Sequence, residues 1–149
     1  MGEAASPLAA FLACRRIALA GASRGGRKFG DTLLRELAAR GREVQIVHPA
    51  GGMVAGRPAV ARLADLPKPV DGLVVCLPPG VVPGLLEEAA AAGIRRIWLQ
   101  QGSSSLVAVA RGRELDLELV AGECLLLHLE PVKGIHAIHR WLRSLWRRA

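Results

Sequence analysis

The chain has 149 residues and a mass of 15.8 kDa, which suits one domain and leaves no room for two independent cores. Hydrophobic residues make up 51% and mean hydropathy is +0.29, too apolar for a disordered chain, yet runs such as Gly72–Leu77 fall far short of the roughly 20 residues that span a bilayer. The net charge of +7, carried almost entirely by arginine, points to an anionic partner, while aromatics at 3% and the absence of tyrosine argue against nucleic acid.

In chain order, the opening segment carries its charges after its apolar stretch, the reverse of a secretory signal, so the cytoplasm is the expected compartment. A short helix is expected over Pro7–Ala13, then a buried strand over Arg16–Ala20 that stops at Gly21. After the loop GASRGGRKFG, residues Asp31–Arg40 place Leu33, Leu34, Leu37 and Ala38 at helical spacing, ending at Gly41. A second strand follows at Glu43–Val47. Ala50–Pro69 reads as a long connection with a turn of helix near Ala59–Ala64, before a third strand at Gly72–Leu77. A helix over Val81–Ala92, a strand at Arg96–Leu99, a serine-capped helix over Ser103–Arg111 and a strand at Leu117–Val120 complete the pattern. The tail Ile135–Arg148 reads as an amphipathic helix with Ile135, Ile138, Leu142 and Leu145 on one side. Strands apolar throughout, alternating with helices, predict an α/β fold: a Rossmann-like, doubly wound parallel sheet of about five strands in three layers.

Ligands of such sheets lie outside the carboxyl ends of the strands, where strand order reverses. The first loop, Gly21-Ala22-Ser23-Arg24-Gly25-Gly26, nearly spells the dinucleotide fingerprint, with Ser23 in place of the second glycine. Its glycines and the following helix N-terminus suit a phosphate, the Ser23 hydroxyl can donate to one, and Arg24, Arg27 and Lys28 add three positive charges. The second strand ends at Ile46-Val47-His48-Pro49 without the acid that takes a ribose 2′-hydroxyl in NAD sites. The nearest arginine, Arg42, lies at the wrong end of that strand for NADP.

The stretch IALAGASRGGRKFGDTLLRELAARGREVQIVHP resembles the start of the stand-alone CoA-binding protein family, whose module is also the N-terminal domain of the succinyl-CoA synthetase α subunit. Gly56-Arg57-Pro58, Leu63-Ala64-Asp65-Leu66-Pro67, Leu77-Pro78-Pro79 and Ile97-Trp98-Leu99-Gln100-Gln101-Gly102 match further family motifs in order, from about Arg16 to Cys124. The resemblance implies coenzyme A or an acyl-CoA as ligand, held by its ADP part. It implies that Gly21, Ala22, Ser23 and Lys28, joined by Arg24, line the phosphate loop. Val47, His48 and Pro49 would flank the adenosine, and Leu77 and Pro78 the adjoining strand end. His48 stands where the family usually has Asn, and Ala50–Met53 form a Gly-rich stretch of their own. The synthetases' phosphorylated histidine belongs to a second domain, so ligase activity is not implied.

Candidates for chemistry of the chain's own are Cys124 after Glu123, and His128, His136 and His139, the last two on one helical face where His128 or Glu130 could complete a metal set. They read instead as surface residues, and Ser103-Ser104-Ser105 as a helix cap. Cys14, Cys76 and Cys124 form no CxxC pair and support neither zinc nor a disulfide framework. Trp141 and Trp146 among Arg140, Arg143, Arg147 and Arg148 suit a helix packed on the domain or a partner better than a membrane surface. The expected organisation is an N-terminal extension (1–14), a CoA-binding domain (15–127) and a basic C-terminal helix (128–149). The expected function is a non-catalytic CoA-binding protein without metal, nucleic acid or membrane, its partner beyond CoA being a second copy of itself or another protein. The alternatives are an NAD(P)-binding oxidoreductase or redox sensor, and a protein-interaction module with a vestigial pocket.

Overall fold

The computed structural model describes residues 5–130. The expected terminal helix, with His136, His139 and both of its tryptophans, lies outside the described residues. A short helix α1 (Pro7–Leu12), capped by the Ser6 hydroxyl oxygen accepting from the Ala9 N–H, leads into strand β1 (Arg16–Ala20). Helix α2 (Phe29–Ala39) buries Leu33, Leu34 and Leu37, three positions of one helical face, and returns to β2 (Glu43–Val47).

Where a long connection is expected, the chain forms a hairpin of β3 (Gly52–Val54) and β4 (Arg57–Val60), and the turn of helix falls later, at Leu63–Asp65. Pro58 sits in β4 although β4 is not an edge strand. It is tolerated because β4 bonds to β2 only at Ile46↔Ala59 and Val47↔Val60, beyond the proline that has no N–H to give. Strand β5 (Gly72–Val75), helix α3 (Val82–Ala91), strand β6 (Arg96–Gln100), helix α4 (Leu106–Glu114) and strand β7 (Glu118–Glu123) follow. The sheet therefore has seven strands rather than about five, in the order β3-β4-β2-β1-β5-β6-β7, parallel throughout except for β3.

Two apolar layers cover the sheet. On one side Phe11 of α1, Leu33 and Leu37 of α2 and Trp98 of β6 pack together, the Phe11 and Trp98 rings 5.5 Å apart at their centroids. On the other, Val82, Leu86 and Ala89 of α3 and Ala108 of α4 pack on Leu73, Val75, Ile97 and Leu99. Trp98 is fully buried and its indole N–H donates to the Glu123 carbonyl at 3.2 Å. Gln100, also buried, accepts the Leu125 N–H at 3.0 Å, so the Trp98–Gln100 motif ties the segment after β7 to the sheet. No helix among the described residues is long and apolar enough to cross a membrane.

Candidate ligand site at the switch point

The strand order reverses between β1 and β5, since β1 is followed on one side by β2 and on the other by β5. Register brings their ends level: Ala20 pairs with Val47 and with Val75. The next residues, Gly21, His48 and Cys76, therefore leave the sheet side by side, and the first loop, the end of β2 and the end of β5 share one edge. That edge is the crevice in which doubly wound sheets take ligands.

The loop is shaped by two close approaches. A Cβ on Gly21, whose φ is +126°, would lie 2.3 Å from the Cys76 carbonyl oxygen, so only glycine lets β1 turn away against β5. A Cβ on Gly30 would lie 2.3 Å from the Gly21 carbonyl oxygen, so the start of α2 rests directly on the loop backbone. The fingerprint's third glycine, which allows close helix packing, thus corresponds in role to Gly30. Gly25 and Gly26, nearer in sequence to the expected pattern, have nothing within 4 Å of a built Cβ.

Ser23 is half-buried, and its hydroxyl donates to Asp31 Oδ2 at 2.7 Å. Its N–H is shared between Asp31 Oδ1 and Oδ2 at 3.0 and 3.2 Å, and the Lys28 N–H reaches Asp31 Oδ2 at 2.9 Å. The hydroxyl read from sequence as a phosphate donor is therefore turned inward. Asp31 itself is 1% exposed. Burial opposes its ionisation, but the Ser23 hydroxyl and the Ser23 and Lys28 N–H groups, with Arg35 nearby, outweigh it and hold the carboxyl below its usual value. Arg24, Arg27 and Lys28 are exposed around this loop. Sequence reasoning missed Asp31 because an acid in the first helical turn ordinarily only complements the helix dipole. The available signal was its place three residues after Lys28, where a side chain reaches back to the N-cap N–H.

At the end of β2, His48 Nδ1 accepts the Ala50 N–H at 3.1 Å, which makes the neutral ring an Nε2–H donor. Pro49 is exposed and Val47 buried behind it. At the end of β5 the Leu77 N–H donates to the buried Ser103 Oγ at 2.9 Å, fixing Leu77 and Pro78 against the start of the β6–α4 loop. Ser103 thus serves that tie, and Ser105 is the cap of α4, accepting from the Ala108 N–H at 3.0 Å. Burial, with Cys124 adding to it, pushes the Cys76 thiol up to about 12, so it carries no thiolate at neutral pH. His128 pairs with Glu123 at 2.5 Å, and its ring lies 5.6 Å from that of Trp98, tilted by 59°. Among the described residues no three of His, Cys, Asp and Glu come together to hold a metal ion. A groove of about 410 Å³ between β2, β4 and Leu66-Pro67 lies off this crevice and is lined mainly by apolar residues.

The CoA binding domain family matches residues 15–130 of the chain. A conserved hypothetical protein from Pyrococcus furiosus is 32% identical, with a TM-score of 0.72 over 77% of this chain and 99% of that one. A protein from Thermus thermophilus is likewise 32% identical, with a TM-score of 0.71 over 79% and 90% of the two chains. The fold also recurs in a dinucleotide-forming acetyl-coenzyme A synthetase from Ca. Korarchaeum cryptofilum, in complex with phosphate and ADP. There the identity is 24% and the TM-score 0.63, over 72% of this chain and 25% of the synthetase.

Proposed function

The chain belongs to the CoA-binding domain family, and we propose that it binds coenzyme A or an acyl-CoA by its ADP part, without catalytic residues of its own. The diphosphate lies against the loop Gly21–Lys28, with Ala22 behind it and Arg24, Arg27 and Lys28 supplying charge. The adenosine lies along Val47, His48 and Pro49, and Leu77 and Pro78 border the far side of the crevice.

The observation that carries this choice of nucleotide is the end of β2. No Asp or Glu follows Val47, and His48 offers an N–H donor because its other ring nitrogen already accepts from Ala50. A ribose diol that needs a carboxylate acceptor, as in NAD sites, finds none there, whereas a phosphorylated ribose such as that of CoA meets a donor. The non-catalytic part of the reading is supported by Cys76, whose thiol burial pushes up to about 12, out of the range of a neutral-pH nucleophile.

Isothermal calorimetry with CoA, NADH and NADPH tests the reading. CoA is expected to bind most tightly; NADH or NADPH binding as tightly as CoA would transfer the site to a nicotinamide enzyme, and no binding of any nucleotide would leave an interaction module.

A further inference from the structure

We propose that Asp31 is the positioning residue of the anion-binding loop: its buried carboxylate clamps both ends of the segment from Ser23 to Lys28 and so leaves Arg24 to Arg27 to meet a phosphate. The ligand in this inference rests on the CoA-binding reading, whereas the clamp rests on contacts that do not depend on it.

The segment between Gly21 and Phe29 is too long for its fixed ends to define its course. Within it the Gly26 N–H bonds the Ser23 carbonyl at 3.2 Å and the Arg27 N–H approaches Ser23 Oγ at 3.4 Å, which closes a turn but does not anchor it. The side-chain anchor is Asp31. It accepts from Ser23 twice, through N–H and hydroxyl, and from Lys28 once, so one carboxylate in the first turn of α2 holds the beginning and the end of the segment. A carboxylate suits this task because it offers acceptors on both oxygens and no donor. An amide of the same size holds the segment less well. With its oxygen at the Oδ2 position it still accepts from the Ser23 hydroxyl and the Lys28 N–H, but its NH2 then opposes the Ser23 N–H, which keeps only the 3.2 Å contact, and the negative charge is gone; with its NH2 at the Oδ2 position it opposes the Lys28 N–H.

This arrangement also explains how an anion sits beneath a loop that binds anions. The donors of Ser23 and the N–H of Lys28 are spent on Asp31, so a ligand phosphate does not compete for them. It is received instead by the turn of residues 24–27, exposed except for the half-buried Gly26, and by the cationic side chains of Arg24, Arg27 and Lys28. Asp31, being 1% exposed, touches no ligand and acts only through the loop.

The test uses the full chain with Asp31→Asn and, as a milder variant, Ser23→Ala, each first melted to confirm folding. Amide exchange at Ser23 and Lys28 is followed by NMR in the ligand-free protein, and CoA, ADP and adenosine are titrated by calorimetry well below the melting temperature. Asp31→Asn should speed exchange at both amides and weaken CoA and ADP by the same factor, about tenfold or more, with adenosine unchanged. Ser23→Ala should give the same pattern to a smaller extent. A folded Asp31→Asn protein that binds CoA within twofold of wild type, or that loses CoA and adenosine alike, overturns the proposal. If Asp31→Asn does not fold, Ser23→Ala decides: unchanged Lys28 exchange with unchanged CoA affinity overturns it. If wild type binds neither CoA nor ADP, the CoA-binding reading falls, and the exchange measurement alone then judges the clamp, with unaltered exchange in Asp31→Asn counting against it.

Discussion

Gly30→Ala isolates the contact on which the ligand loop rests. In an exposed helix interior, glycine to alanine stabilises by about 1 kcal/mol, because alanine restricts the unfolded chain and pays no side-chain entropy. At Gly30 the added methyl lies 2.3 Å from the Gly21 carbonyl oxygen, 2.7 Å from its carbon and 3.1 Å from the Ala22 nitrogen. All three are backbone atoms, so no rotamer change relieves the overlap, and relaxing it to a contact near 3.5 Å moves the first turn of α2 by about 1 Å. Such overpacking costs about 3 kcal/mol at the upper end of its usual range, leaving a net loss of about 2 kcal/mol. For a domain of this size that lowers the melting temperature by about 4–8 °C. Gly84→Ala is the matched control: Gly84 also lies in a first helical turn, in α3, and nothing lies within 4 Å of the Cβ it lacks. It should raise the melting temperature by about 2–4 °C. Calorimetric melts of both variants measure the difference, and CoA titration of Gly30→Ala should show weakened binding as the loop is lifted. If Gly30→Ala melts at or above wild type, α2 does not rest on the Gly21 carbonyl as described.

Arg24→Ala and Lys28→Ala should each weaken CoA by about tenfold, one charge-assisted hydrogen bond, while leaving adenosine binding unchanged; calorimetry with the two ligands reads the split. Trp98→Ala should cost about 3–5 kcal/mol in urea unfolding, since it empties the fully buried indole site between Phe11 and His128, and Trp98→Phe clearly less. Asp71 Oδ2 accepts the Arg16 and Arg15 N–H groups at 3.0 and 2.9 Å, and these bonds hold its carboxyl below the ordinary value of 3.8. A group depressed in this way stabilises the fold above its unfolded value and loses that contribution as pH falls through the lower folded one. The melting temperature should therefore be steady from about pH 7 to 5 and drop below about pH 4, and Asp71→Asn should narrow that drop.

The strands β1 and β2 were legible residue for residue because they are short, apolar and bounded by glycine or proline, and their pairing from Arg16↔Glu43 to Ala20↔Val47 needs no other signal. The hairpin was not legible. Its strands have only three and four residues, Met53 is 61% exposed, and Pro58 speaks against a strand until the pairing of β4 is known. The family resemblance led to the right fold because Gly21 and the Trp98–Gln100 motif are constrained by packing, as the Cys76 contact and the buried indole attest. The bond from Ser23 to Asp31 was not legible, since a hydroxyl in such a loop suggests an external partner and its internal one lies eight residues away on the next helix.

The functions of the fingerprint glycines are redistributed in this chain, and that redistribution bears on what the crevice accepts. Gly21 keeps the turn away from β5, Gly30 takes over the close contact with the helix, and the Ser23–Asp31 pair stands where the second glycine would let bare backbone touch a pyrophosphate. On the proposed reading, a ligand diphosphate would meet the flank of the loop, where Arg24, Arg27 and Lys28 are exposed, rather than its floor, where a carboxylate is buried. Charge is then the main source of grip, and binding should weaken with added salt more than in a loop that relies on backbone N–H groups. At the other end of the crevice His48, its Nδ1 accepting from Ala50, stands where a dinucleotide site has an acid. On the proposed reading, the β2 end is what would favour a nucleotide with phosphate on its ribose over one with a free diol, and the loop is what would make that binding depend on charge.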